Sequence, residues 1–327
     1  MLLAPAALTL VFIVSTSDKF SPVTEPVVES RIELAQSEAG LPSETLSEFD
    51  QLAPRGGSSK FVEMGLAVAT WISSIFLLAI MSIAFVVPYA LPRVGTNQEA
   101  LKQFLLTDRT AIFLQILSAI PAHLLTLCVV WAVVTHFGKR PFWRTLGWSW
   151  GGGFCFWSSA ALAIALLGVG MIVTYTFHGG ETELDKIISS STAARYTTAF
   201  LATFTAPLVE EMVYRGVLYS ALQRLVGTAS AVFGVLLLFT LVHVPQYWPN
   251  LSVIAVIGLL SIALTIVRAY TGRLLPCFVM HLVFNGVSSV IIIIEPYLPR
   301  LINDRSQQKA EGALFMLKAA LKACVIF

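Results

Sequence analysis

The sequence predicts an all-α polytopic membrane protein with about seven or eight transmembrane helices and its reactive groups in the C-terminal ones. Three observations carry this. Of the 327 residues 56% are hydrophobic and only 12% charged, against about 25% charged in an ordinary soluble domain. The apolar residues fall into runs of about 20, the length a helix needs to cross the hydrocarbon core with every backbone group paired. The few ionisable groups inside those runs are gathered into three short signatures in the C-terminal half: Glu210-Glu211-x-x-x-Arg215, Phe239-x-x-x-His243 and His281-x-x-x-Asn285.

Residues 1–17 open the chain with an apolar stretch ending in Ser15-Thr16-Ser17 but lacking a basic lead-in, which suits a signal-like segment or a short anchor equally. Residues 18–62 are polar and acidic, broken by Pro22, Pro26, Pro42 and Pro54 and by Gly56-Gly57-Ser58-Ser59, the composition of a linker. Residues 63–190 hold spans read at 64–91, 110–136 and 152–177. Between the last two, Lys139-Arg140-Pro141-Phe142-Trp143-Arg144, Trp148 and Trp150 mix cations with indole rings, as a short interfacial helix does at the headgroup layer. Residues 191–295 supply spans at 195–224, 228–244, 250–269 and 274–294. Residues 296–327 form a loop and a last helix near 312–327.

The net charge of +2, with no basic run interleaved with aromatics, excludes nucleic acid as a partner. Cys128, Cys155, Cys277 and Cys324 show no Cys-x-x-Cys spacing and are read as small buried packers. Orientation does not follow from charge. Arg93, Lys102, Arg109, Lys186, Arg195, Arg300, Arg305 and Lys309 stand on one side, against Lys139, Arg140, Arg144, Arg224, Arg268 and Arg273 on the other, without a clear excess.

Ionisable groups at mid-membrane cost roughly 2.5 to 3.5 kcal/mol each, so they face one another or a wet cavity. On a helix Glu211 and Arg215 share a face and are set to pair. Glu210, turned by about 100°, is left free to present its carboxylate elsewhere. Pro207 upstream removes a backbone donor and is placed to kink the helix beside the glutamates. His243 lies on the face of Phe239, before Pro245. His281 and Asn285 share a face, either as two donors to one oxyanion or as a polar bridge between helices. His123, His136 and His178 read as structural or solvated. No His-Glu-x-x-His, Gly-x-Ser-x-Gly or phosphate-loop pattern occurs.

These signatures, in this order, resemble the CAAX protease and bacteriocin-processing (CPBP) family of intramembrane proteases, relatives of CAAX prenyl protease 2. The resemblance covers roughly residues 190–295. It implies an intramembrane endopeptidase cutting a membrane-anchored protein or peptide, including prenylated CAAX-type tails. Glu210 would activate water with the help of His243; His281 and Asn285 would support the oxyanion; Glu211 and Arg215 would hold the site's geometry. In a zinc-dependent version Glu210, His243 and His281 would be the metal ligands. The location implied is an integral, multi-pass position in the lipid bilayer, in the plasma (cytoplasmic) membrane if the protein is bacterial. The competing readings are a non-catalytic membrane protein of the same fold, serving bacteriocin immunity or partner binding, and a transporter using the buried charges as a relay. The terminal Cys324-Val325-Ile326-Phe327 formally matches a prenylation box and is read as coincidence.

Overall fold

The structure, a computed structural model, describes residues 59–177 and 179–297. The segment at 1–17, the linker up to residue 58, His178, the span read at 312–327 and the Cys324-Val325-Ile326-Phe327 end lie outside the described residues.

All regular elements among the described residues are helical. In chain order they are α1 (Lys60–Val94), α2 (Gln98–Thr107), α3 (Arg109–Leu117), α4 (Ala119–Thr135), α5 (Phe142–Thr145), α6 (Phe156–Thr176), α7 (Glu183–Ser190), α8 (Thr192–Phe200), α9 (Ala206–Glu210), α10 (Tyr219–Val226), α11 (Thr228–Tyr247), α12 (Leu251–Thr271) and α13 (Leu275–Ile294). Two π-helical segments, Leu201–Thr205 and Glu211–Leu218, join α8, α9 and α10 into one continuous run. Among the described residues six helical stretches are long and apolar enough to cross a membrane: Lys60–Val94, Arg109–Thr135, Phe156–Thr176, Thr228–Tyr247, Leu251–Thr271 and Leu275–Tyr297. The span expected at 195–224 is the composite run from α8 to α10. The chain is thus an all-α, multi-pass membrane protein.

Local chemistry accounts for the boundaries. Asn97, Asp108 and Asn250 cap α2, α3 and α12 by accepting hydrogen bonds from the backbone N–H groups of Ala100, Ala111 and Val253. Thr182 and Asp185 form a reciprocal capping box at the start of α7. The span read as 110–136 is divided at Ser118, because Pro121 has no N–H for the carbonyl of Leu117. Phe76, Ile80, Ile83, Ile172, Leu241, Ile266 and Val290 are exposed. In water such a display would drive aggregation; along spans it faces acyl chains.

The interfacial segment differs from its expectation. Only Phe142–Thr145 is helical, a single turn, and the chain then folds inward. Leu146 is 1% exposed and packs on Gly216, where a Cβ would lie 2.7 Å from the Leu146 Cδ2. Gly147 follows at φ 71°, a left-handed conformation, with the space its Cβ would need taken by the Gly272 carbonyl and the Arg268 guanidinium. Trp148 stacks on Phe278, ring centroids 5.0 Å apart.

Arg268 also departs from the sequence reading, which counted it among loop cations. It is buried at the end of α12 and donates from Nη1 to the carbonyls of Leu146 (3.2 Å) and Gly272 (2.9 Å). It therefore fastens the inward loop to the helix end. Ion pairs group the helix ends: Arg224 with Glu63 (2.8 Å) joins the end of α10 to the start of α1, and Arg195 with Glu295 (3.3 Å) joins the start of α8 to the end of α13. Of the cysteines, Cys277 is buried as expected, whereas Cys128 and Cys155 are exposed on the outer surface.

Arg268→Met keeps the aliphatic stem and removes both of these donations, together with the one from Nη2 to the Ser220 hydroxyl (3.4 Å). Each buried carbonyl left without a partner costs about 1–3 kcal/mol. The expected outcome is a clear fall in the thermal midpoint of the detergent-solubilised protein; an unchanged midpoint would show that Arg268 does not hold the loop.

Candidate active site

The three signatures converge. The first lies across the junction of α9, which ends at Glu210, and the π-helical segment Glu211–Leu218; α11 carries the second and α13 the third. Glu211 and Arg215 are completely buried and paired, Arg215 Nη1 donating to Glu211 Oε1 at 3.0 Å. The same Oε1 meets His281 Nδ1 at 2.8 Å. Glu210, one residue earlier, keeps 16% of its side-chain surface exposed and turns to the other side of the imidazoles. Its Oε1 lies 3.9 Å from His243 Nε2, and its Oε2 lies 3.8 Å from His281 Nε2. The division between a committed and an available glutamate is therefore present in three dimensions.

Hydrogen-bond partners determine both imidazole tautomers. His243 Nδ1 is 2.6 Å from the Phe239 carbonyl oxygen, which only accepts, so Nδ1 carries the proton. His281 Nδ1 meets a carboxylate oxygen that already accepts from Arg215, so it too is the donor. In the neutral rings both Nε2 atoms then present lone pairs toward Glu210. Glu210 Oε2 and His281 Nε2 are buried and hydrogen-bond to no other protein atom. Separations of 3.8 and 3.9 Å are too long for direct bonds and suit a bridge through one water.

Phe239 is more than a spacer in its signature. Its fully buried ring lies 4.6 Å from the Arg215 guanidinium carbon, 4.6 Å from the His243 ring and 5.0 Å edge-on from Tyr214. One face of the guanidinium thus rests on an aromatic surface. Tyr214 is tied to α1 through Trp71, whose Nε1 donates to its hydroxyl at 3.0 Å.

Asn285 has a different engagement. Its Nδ2 donates to the Ala202 carbonyl at 2.9 Å. In the π segment Leu201–Thr205, the Ala206 N–H turns to the Leu201 carbonyl, and the next residue, Pro207, has no N–H. Ala202 thereby loses its backbone partner, and Asn285 supplies one. The expected kink at Pro207 takes this form: a widened turn whose orphaned carbonyl is satisfied from α13. This hydrogen bond makes Asn285 an interhelical bridge and engages one of its two amide N–H groups.

Among the other histidines, His123 meets Thr205 Oγ1 at 2.9 Å within the same π segment, and His136 ends α4 at φ 50°. Two partners of the site were missed at the level of sequence, Ser261 and Thr265 on α12, which hold the far edge of the Arg215 guanidinium. Their signal was a pair of hydroxyls at i and i+4 on an otherwise apolar span.

Zinc meets a mixed answer. The donor types suit it, and Nδ1–H groups bonded to a carboxylate and a carbonyl are the usual outer partners of metal-binding histidines. The spacing does not. Ligand atoms around a tetrahedral zinc lie about 3.4 Å apart, closer than Glu210 stands to either imidazole. Among the described residues no group of three or more His, Cys, Asp or Glu is placed to hold a metal ion.

Asn285→Ala is expected to lower stability by about 1–3 kcal/mol through the orphaned Ala202 carbonyl. The cost should shrink in a Pro207→Ala background, where residue 207 regains an N–H. A thermal-unfolding double-mutant cycle checks this, and strict additivity would refute the bridge.

Residues 192–287 match the family model described as type II CAAX prenyl endopeptidase Rce1-like. No curated protein and no solved structure matches the chain. The match begins at α8 and ends two residues beyond Asn285, so it contains all seven residues of the three signatures. Residues 192–287 are therefore similar to the Rce1-like family, which is consistent with the CAAX-protease family that the three signatures resemble.

Proposed function

We propose that the protein is a glutamate-dependent intramembrane endopeptidase acting on a membrane-anchored peptide. The family supports a CAAX-type intramembrane protease in general. The observation that carries the finer reading is the convergence of the Glu210 carboxylate with the Nε2 atoms of His243 and His281, while Glu211 is occupied by Arg215.

Glu210 is the general base. A water between Glu210 and the two imidazoles gives one proton to the carboxylate and offers its second hydrogen to an Nε2 lone pair. The oxygen attacks the scissile carbonyl carbon as its π pair moves onto oxygen. Collapse of the tetrahedral intermediate breaks the C–N bond, and the proton held by Glu210 passes to the departing amine. His243, fixed by the Phe239 carbonyl, positions the water. His281 stabilises the oxyanion as an imidazolium, its Nε2 having taken a proton from solvent before the attacking water is activated, and Glu211 is then the counter-carboxylate behind the ring, as an aspartate stands behind a catalytic histidine. Asn285 shapes the gap by holding the first π turn.

The surroundings support a membrane-borne substrate. Apolar side chains flank the helices that carry the site, so a substrate reaches it from the membrane. A peptide tethered by a lipid, a prenylated Cys-a-a-X tail among the candidates, or by its own span meets that requirement. The signatures are complete, which favours catalysis over immunity or partner binding.

In proteoliposomes presented with membrane-anchored peptides, Glu210→Gln is expected to lower kcat roughly 10²- to 10⁴-fold with the fold intact. His243→Ala is expected to lower it by a smaller factor. Undiminished cleavage by both variants would remove Glu210 from the mechanism, and no cleavage by the unaltered protein across the library would favour the non-catalytic reading. Exhaustive chelation, with metal content measured on the same sample, is expected to leave cleavage unchanged. Loss on chelation with recovery on adding zinc would overturn the metal-free mechanism.

A further inference from the structure

We infer that Ser261 and Thr265, on a helix that contributes none of the three signatures, are positioning residues that aim His281 through Arg215 and Glu211. The inference deepens the proteolytic reading above and rests on it.

Both residues are fully buried on α12, at i and i+4, in a stretch otherwise made of Ile, Leu, Ala and Val. Hydroxyls in such a setting require partners. Thr265 Oγ1 donates to the Ser261 carbonyl at 2.7 Å, which directs its lone pairs toward Arg215 Nε at 3.3 Å. Arg215 Nη2 donates to both the Ser261 carbonyl and the Ser261 hydroxyl, each at 3.1 Å. One edge of the guanidinium is thus gripped by α12, one face rests on Phe239, and Nη1 is left pointing at Glu211.

That arrangement has a directional result. A lysine would carry the same charge but would not lock a plane. Here the plane of Arg215 locates Glu211 Oε1, the atom that also receives His281 Nδ1–H. The chain runs from α12 through the π segment to α13 and ends at the Nε2 atom facing Glu210. Neither hydroxyl is hydrogen-bonded to Glu210, His243 or His281, so each acts through Arg215. In metal sites, groups bonded directly to a ligating histidine change activity 10- to 100-fold when removed, and the longer chain of contacts here is expected to act at the low end of that range.

The test uses near-isosteric variants of the whole protein in lipid bilayers. Thr265→Val and Ser261→Ala each leave an Arg215 N–H short of an acceptor and are expected to lower the thermal midpoint; in protein still folded at the assay temperature they are expected to lower kcat about tenfold with KM little changed, and Thr265→Ser is expected to restore the rate. A second measurement needs no substrate: in protein labelled with 15N-histidine, the His281 Nδ1–H resonance is expected to shift or broaden in Thr265→Val while that of His243 stays in place. A merely structural role would lower the midpoint and leave both kcat of the folded protein and the His281 signal unchanged; that result overturns the inference. Glu210→Gln serves as the reference. If it is inactive while Thr265→Val and Ser261→Ala turn over at the unaltered rate, the positioning role fails and the proteolytic reading stands. If Glu210→Gln cleaves normally, both fall together.

Discussion

The structure depends on one ion pair kept wholly out of water. Glu211 and Arg215 have no exposed surface, and a charge so placed survives only when its hydrogen-bonding capacity is filled. Arg215 meets this with Glu211, Thr265, the Ser261 hydroxyl and the Ser261 carbonyl, and with Phe239 beneath its face. Four elements are thereby drawn to one point: the π segment Glu211–Leu218, α11, α12 and, through His281, α13. The pair is as much a register device as a stabilising contact. A helix that slid by one residue would leave a guanidinium or a carboxylate alone in an apolar interior.

Fixing one glutamate in this way makes the other available. Glu210 shares the helix with Glu211 but not its partners, and its carboxylate faces two imidazoles whose protons are both held on the far nitrogen. Backbone and side-chain acceptors behind the rings therefore decide what the rings present in front. Positioning of this kind, by groups that never touch a substrate, is how a small number of polar residues is kept oriented in a medium that offers no alternative hydrogen-bond partners.

The widened turns serve the same end. Pro207 removes a donor, the Ala202 carbonyl is orphaned and Asn285 reaches across from α13 to fill it. A local defect in the hydrogen-bond ladder becomes a link between two helices. Further along, Gly216 lets Leu146 enter from the loop before α6, so that a segment expected at the membrane surface ends in contact with the residue next to Arg215. Arg268 holds that loop down.

How much of this was legible beforehand depends on the distance over which each interaction acts. Span positions, the pairing of Glu211 with Arg215 and the separate orientation of Glu210 follow from hydrophobic run length and from the 3.6-residue helical period, which are local properties of the chain. The break at Ser118 and the burial of Arg268 were not read, though Pro121 announced the first. Ser261 and Thr265 looked like ordinary small polar residues on a span, because their importance lies in an arginine some fifty positions away. The same holds for Asn285: its spacing from His281 placed it on the right face, and only the orphaned carbonyl of Ala202 decided what its amide would bind. By itself the sequence determined which residues had to be buried together, since charge in lipid leaves few choices. The tertiary structure decided which atom faces which, because tautomer, guanidinium plane and carbonyl satisfaction are set by neighbours from other helices.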